Sequence, residues 1–211
     1  MKVLITAGPT REAIDPVRYL SNRSSGRMGF AIAREAARRR HEVTLVTGPV
    51  SLPTPEKVKR IDVVSAEDMY RAVVDQLEGV DIAIHSAAVA DYRPKHVHDE
   101  KVKKAAEEWE ITLERTTDIL GSMRDPLNYD NILVGFAAET EHLLPNARKK
   151  LENKGCDLVV ANDVSRRDIG FDQRDNEVTL LFKDGREEAV PKQAKEALAA
   201  LLCDRIESIS L

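Results

Sequence analysis

Residues 6–29 read TAGPTREAIDPVRYLSNRSSGRMG, a Gly/Ser/Arg loop that leaves one regular element and enters another. Before it, KVLITA at residues 2–7 is short, apolar and β-branched, which predicts a strand. After it, residues 28–40 place Phe30, Ile32, Ala33, Ala36 and Ala37 on one face of a helix. Strand, loop and helix in this order form the first half of a βαβ unit. Such connections usually take about 2 to 6 residues, whereas this one extends from Gly8 to Gly26. An excess of that size is either disordered or holds a ligand, and the composition favours a ligand. Arg11, Arg18, Arg23 and Arg27 stand against Glu12 and Asp15, a local charge of +2 in a chain whose formal net charge is -4. Ser24, Ser25 and Gly26 fall where the helix offers unpaired N–H groups and the positive end of its dipole, a natural anion site. An N-cap at Ser24 or Ser25 would by itself account for a short loop and not for a long basic one.

Several chemistries are excluded. No G-x-G-x-x-G follows Gly8 and no G-x-x-x-x-G-K-[ST] occurs, so phosphate is held neither by a dinucleotide fingerprint nor by a P-loop. A short-chain nicotinamide reductase also needs a Tyr-x-x-x-Lys pair, and the residues four after Tyr19, Tyr70, Tyr92 and Tyr129 are Arg23, Val74, His96 and Leu133. The histidines make no H-E-x-x-H spacing, and Cys156 and Cys203 are too few and too distant for a disulfide framework or a C-x-x-C site. Cys156 is expected in the core as a small hydrophobe. An acidic balance with 4% aromatic residues does not suggest a nucleic-acid surface. No apolar run approaches the roughly 18 residues of a membrane span, and the chain enters a strand without a charged leader. The expectation is a cytoplasmic protein that meets neither nucleic acid nor membrane. With 211 residues, 42% of them hydrophobic, and no Pro/Gly/Ser-rich linker, residues 1–211 read as one compact domain.

The alternation begun by the first unit continues. Strands are predicted at residues 42–47, 58–64, 81–87, 110–115, 132–138 and 157–161, and helices at 66–77 and 143–154. Near-continuous apolar strands between helices imply an α/β, doubly wound, mostly parallel Rossmann-like sheet. Residues 177–182 and 187–190 flank Lys183-Asp184-Gly185, which predicts a C-terminal antiparallel hairpin before a last helix over residues 192–206. In such sheets ligands collect outside the carboxyl ends of the strands. Residues 8–29, 85–93, 136–140 and 162–165 fall there.

At the second of these, DIAIHS runs into AAVADYRP. Small side chains let a base or ribose approach the backbone, and Asp91 offers a carboxylate to a hydroxyl or to Mg²⁺. The alanines also fit simple tight packing. Glu100-Lys101-Val102-Lys103-Lys104 fits a solvated charged face. Its place between two strands favours a mobile lid carrying triphosphate-binding lysines. Lys150 and Lys154, four apart on one helix face, are able to reach one anion and equally fit a solvated surface.

Seven stretches in order and spacing resemble the phosphopantothenoylcysteine synthetase family. They are AGPTREAIDPVRYLSNRSSGRMGFAIA at 7–33, VTLVTGPVSLPTP at 43–55, AAVADYRP at 87–94, EKVKK at 100–104, GFAAET at 135–140, LVVANDVS at 158–165 and GFDQRDNEVTLL at 170–181. The family's usual flavin-dependent decarboxylase half is missing, which implies a freestanding synthetase or an excised domain. The resemblance implies a ligase of coenzyme A biosynthesis. It joins 4'-phosphopantothenate to L-cysteine and cleaves CTP to CMP and pyrophosphate through an acyl-cytidylate, with Mg²⁺ as cofactor, in a homodimer. It implies that the nucleotide lies along His85, Ser86, Ala87, Ala88 and Phe136. Asp91 then meets the nucleotide or its metal, and Lys101, Lys150 and Lys154 meet the phosphates. It assigns Asn22 to the acyl intermediate and Arg18 to the phosphopantothenate. Where the family carries Asn-Pro-Asp-Ile this chain has Thr116-Thr117-Asp118-Ile119, and the implied nucleotide contacts fall on Thr117, Asp118, Ile119 and Leu120. A non-catalytic module of the same fold stays open at this point and predicts no turnover with any nucleotide.

Overall fold

The computed structural model describes residues 1–103, 108–163 and 175–210. In chain order it holds β1 (Lys2–Ala7), β2 (Arg11–Ala13), β3 (Tyr19–Ser21), α1 (Arg27–Arg38), β4 (Glu42–Thr47) and β5 (Val58–Asp62). Then follow α2 (Ala66–Asp75), β6 (Ile82–His85), β7 (Tyr92–Pro94), β8 (Leu113–Arg115), α3 (Ile119–Ser122) and β9 (Ile132–Glu139). The chain continues with α4 (Leu143–Asn153), β10 (Leu158–Asp163), β11 (Asp175–Phe182), β12 (Glu187–Ala194) and α5 (Lys195–Glu207). The main sheet has the order β12-β11-β10-β9-β6-β1-β4-β5. From β10 to β5 every pairing is parallel, and β11 and β12 add an antiparallel edge. The doubly wound reading with a terminal hairpin therefore holds.

Alternation along the strands sorts the core into two layers. Val3 and Ile5 of β1 face α1 and α5 with Phe30, Ile32, Leu198 and Leu202. Leu4 faces the other way, toward Met69 and Val73 of α2, Ile119 and Leu120 of α3 and Ala147 of α4. From β1 the chain moves outward to β4 and β5, then returns past β1 to β6 on its other side. The winding reverses between β1 and β6, and the connections at their carboxyl ends diverge and leave a crevice there.

Three elements differ from the sequence reading. The long first loop contains an antiparallel ribbon, β2 with β3. It is docked by Glu12, buried, whose carboxylate accepts the Ala66 N–H at 2.9 Å at the start of α2. The strand expected at residues 110–115 shortens to β8 and pairs with β7 outside the main sheet. Its residues are exposed or half-buried and offer no apolar face to the core. The last helix starts at Lys195, because β12 continues to Ala194 against β11. Lys104 of the charged stretch, residues 164–165 and residues 170–174 lie outside the described residues.

Candidate active-site cleft

A cleft of about 740 Å³ opens at the carboxyl ends of β1, β6, β9 and β10. One wall is the start of α1. Gly26 occupies the N-cap position at φ 74°, the left-handed region that glycine enters without a Cβ clash, and no side chain caps the helix. Its first N–H groups therefore face the cleft together with Ser24, Ser25 and Arg27. The helix comes this close because Gly29 has no Cβ. One built there would lie 2.6 Å from both Ala7 Cβ and Ser86 Oγ.

The adjoining wall is the segment after β6, zipped to the first loop. Ala88 N–H donates to Gly8 O at 2.9 Å, Thr10 N–H donates to Ala88 O at 3.3 Å, and Ala90 N–H donates to Thr10 Oγ1 at 2.9 Å. Ser86 Oγ donates to Thr6 O at 2.6 Å. These bonds leave Ala87 and Ala88 as small lining residues. Asn22 reaches across, its Nδ2 donating to Ala88 O at 2.9 Å. His85 is buried at the floor, and its Nε2 has no hydrogen-bond partner among the described residues. Burial lowers its pKa to about 4, with Asp118 opposing, so the ring is neutral at pH 7.

The opposite wall comes from α3 and α4. Asp118 caps α3, accepting Gly121 N–H at 2.8 Å, and is ion-paired with Lys154. Burial disfavours its charge. The Lys154 and Gly121 bonds and the field of Lys150 outweigh that and keep the carboxyl below its usual range. Lys150 is inclined toward the start of its helix, as helical side chains are. Its Nζ donates to Phe136 O at 2.7 Å. Burial lowers its pKa against the pull of Glu139, Asp118 and Asp91. Thr117, Ile119, Leu120 and Phe136 complete this side, and Asp91 stands exposed at the rim.

The far end holds Asn162 of β10, Asn176 of β11 and Lys195 of α5. Among the described lining residues, the cations Arg27, Arg115, Lys150, Lys154 and Lys195 outnumber the carboxylates Asp91, Asp118 and Glu139, so the cleft suits an anionic ligand. No group of three or more His, Cys, Asp or Glu side chains among the described residues holds a metal alone. A single rim carboxylate does fit Mg²⁺ that arrives with phosphate oxygens, and Asp91 is that carboxylate.

The cleft thus brings together Asn22, His85, Ser86, Ala87, Ala88, Asp91, Thr117, Asp118, Ile119, Leu120, Phe136, Lys150 and Lys154. Arg18 and Lys101 do not line it. Arg18 is paired with the buried Asp15 at 2.5 Å, stacks on Trp109 at 4.3 Å, and donates to Val102 O at 3.2 Å. Lys101, exposed, precedes that held residue. Asn176 and Lys195 escape sequence reasoning, because only the antiparallel pairing of β11 and β12 brings the start of α5 to this edge.

Comparison with known proteins bears on the chain's family and fold. The family model described as DNA/pantothenate metabolism flavoprotein C-terminal domain matches residues 1–209. The chain is 49% identical over 209 residues to the "Coenzyme A biosynthesis bifunctional protein CoaBC" of Vibrio vulnificus (strain YJ016), covering 98% of this chain and 52% of that protein. The chain therefore spans about half the length of the curated relatives it matches. The crystal structure of the C-terminal domain of a CoaBC protein superposes with a TM-score of 0.84 at 43% identity, over 99% of this chain and 94% of that one. A Cab2 mutant in complex with phosphopantothenate-cysteine superposes with a TM-score of 0.82 at 16% identity, over 99% and 85% of the two chains, a likeness of fold. No helix among the described residues is long and apolar enough to cross a membrane. On its sequence and its fold the chain belongs to the DNA/pantothenate metabolism flavoprotein C-terminal domain family.

Proposed function

We propose that this chain is the ligase that joins 4'-phosphopantothenate to L-cysteine in coenzyme A biosynthesis, with CTP cleaved to CMP and pyrophosphate. The observation that supports it is the division of the cleft. One wall is an uncapped helix start with Ser24, Ser25 and Arg27. The other side carries the half-buried Phe136 beside the cations Lys150 and Lys154. Two different anions, one of them attached to a planar base, match such a site.

At neutral pH a carboxylate resists attack and must first gain a leaving group. The substrate carboxylate oxygen bonds to the α-phosphorus of CTP, the α–β bridging bond breaks, and pyrophosphate departs. The cysteine amine then attacks the acyl carbon of the acyl-cytidylate, and CMP leaves. Lys150 and Lys154 sit where charge grows on departing phosphate, and Lys101 serves that charge from the stretch beside the cleft. Asn22 holds the acyl-cytidylate, donating from an uncharged amide. Arg18, whose Nε and Nη2 are engaged by Asp15 and the Val102 carbonyl outside the cleft lining, positions the phosphopantothenate by its charge and its remaining N–H donors. The base and ribose lie along His85, Ser86, Ala87, Ala88 and Phe136, with residues 117–120 beside them. Asp91 would hold Mg²⁺ together with phosphate oxygens, and the ion supplies charge neutralisation at the triphosphate.

The chain acts as a homodimer. Exposed Val17, Tyr19, Tyr92, Val97, Trp109 and Leu113 gather on the two small ribbons and their flanks, a surface suited to a second copy. The reaction belongs in the cytoplasm, in keeping with two buried free cysteines.

The test mixes the protein with 4'-phosphopantothenate, cysteine, Mg²⁺ and each nucleotide in turn, and measures pyrophosphate and amide product. CTP should give both, with kcat/KM at least about tenfold above ATP, because wrongly paired polar groups at the base discriminate strongly. Absence of turnover with every nucleotide would return the chain to the non-catalytic reading.

A further inference from the structure

The stretch VTLVTGPVSLPTP at residues 43–55 stands out in the sequence, yet past β4 it takes no part in the chemistry above, since none of residues 47–57 lines the cleft. Its place is behind the wall. Beyond the strand ends the order β4-β1-β6 continues through the loops. Gly48 N–H donates to Ala7 O at 3.0 Å on one side of the first loop, and Ala88 N–H donates to Gly8 O at 2.9 Å on the other. Gly48 runs so close to the first loop that a Cβ on it would lie 1.6 Å from Pro9 O. The buried Thr47 fixes this turn, its hydroxyl donating to Gly48 O at 3.0 Å.

Val50 then reaches back to α1. Its Cγ1 lies 3.0 Å from where a Cβ on Gly8 would stand and 3.1 Å from where one on Gly26 would stand. One methyl group thus fills a notch shared by the turn after β1 and the N-cap of α1. A second tie follows two residues later. Arg60 of β5 donates from Nη1 to Leu52 O at 2.8 Å, and its guanidinium lies over the Phe30 ring of α1, 5.4 Å from the centroid. Val50 and Leu52 are half-buried against the core layer that contains α1. Close-packed groups transmit position, whereas a gap of methyl size forfeits the contacts that hold its lining in place. Resting on the ligase reading above, we propose that residues 48–52 form a strap that sets where α1 begins. Val50 is then a positioning residue for the nucleotide: it touches no substrate and acts through Gly26 on the N–H groups and Arg27 that face the phosphates.

Steady-state rates with 4'-phosphopantothenate, L-cysteine and CTP test this. Val50→Ala, which empties the notch, should raise KM for CTP about 5- to 20-fold, the scale of a displaced binding group. KM for L-cysteine, which brings no phosphate to the wall, should stay within about twofold of wild type. Val50→Ile keeps the methyl branch and should hold KM for CTP within about threefold of wild type. A purely structural role would lower the melting temperature and leave the ratio of the two KM values unchanged. An unchanged KM for CTP in Val50→Ala, an equal rise for cysteine, or a loss in Val50→Ile as large as in Val50→Ala would overturn the assignment. Where Val50→Ala fails to fold by circular dichroism, Arg60→Met decides, because it cuts the strap at Leu52. That variant should raise KM for CTP at least about threefold, and a wild-type value would sink the idea. A wild type that releases no pyrophosphate from CTP refutes the ligase reading, and the positioning role falls with it.

Discussion

Asn22 joins two walls of the cleft through one hydrogen bond, its amide nitrogen to Ala88 O. Asn22→Asp keeps the volume, replaces the donor by lone pairs facing that carbonyl, and adds a negative charge beside the acyl group. Pyrophosphate release should persist while amide formation falls by about 100-fold or more, a loss in the range of a removed oxyanion donor. Mass spectrometry of a quenched reaction should then find the acyl-cytidylate retained on the enzyme, and wild-type amide rates would contradict the role. His85 makes a different kind of prediction. Its folded pKa, about 4, lies below the unfolded value near 6.5. Between those values the unfolded chain binds a proton that the folded ring refuses, so stability falls as pH drops from 6.5 to 4 and this contribution is complete below 4. The loss amounts to about 3 kcal/mol at most. Urea titrations should show His85→Gln losing less stability over that window than wild type. Parallel curves would show that the ring gains a proton freely in the fold.

At the level of elements, the approach of α1 to β1 and the segment after β6 is the feature that shapes the anion-facing wall. Gly29→Ala places a methyl 2.6 Å from Ala7 Cβ and Ser86 Oγ and forces the helix outward. We expect a destabilisation of about 1–3 kcal/mol, read as a lowered Tm, together with weaker nucleotide binding. An unchanged Tm would mean that the helix has slack there. Strands β1, β4, β6, β9 and β10 were legible because each is an apolar run largely buried on both faces, and the hairpin because Asp184-Gly185 marks its turn. The ribbon of β2 and β3 was not legible. It is three residues a side, and its place depends on Glu12 reaching a helix start 54 residues away, which no local pattern encodes. The same holds for the cleft. His85 closes a strand that the sequence already located and Asp91 follows it in the same segment, whereas Lys195 looks like any lysine opening an alanine-rich helix. Its burial comes from β11 and β12, so only the folded sheet reveals it.

For the whole molecule, the exposed apolar side chains of the two ribbons set the expected assembly. Sedimentation equilibrium should report a dimer, and the double substitution Tyr19→Glu and Leu113→Glu should give a monomer with unchanged circular dichroism, since both side chains are about half exposed, at 48% and 43%. A wild-type monomer at micromolar concentration would dismiss the assembly. The same ribbons bear on the lysine stretch through Asp15. Its side chain is fully buried and accepts the N–H groups of Val17 at 2.9 Å, Arg18 at 2.8 Å and Val102 at 3.2 Å, while Arg18 holds the Val102 carbonyl. Arg18 beside it keeps the carboxyl well below the usual carboxylate range, so the grip stays charged at any pH the protein meets. The backbone that carries Lys101 is thereby anchored to the ribbon at one residue, Val102, gripped on both its N–H and its C=O. In hydrogen–deuterium exchange the Val102 amide should behave as part of the ribbon, exchanging slowly beside faster neighbours. In Asp15→Asn, which keeps the shape and loses the charge, that single protected amide should become fast while β1 and β6 stay slow. Val102 as fast in wild type as Lys101 would show that the anchor does not hold in solution.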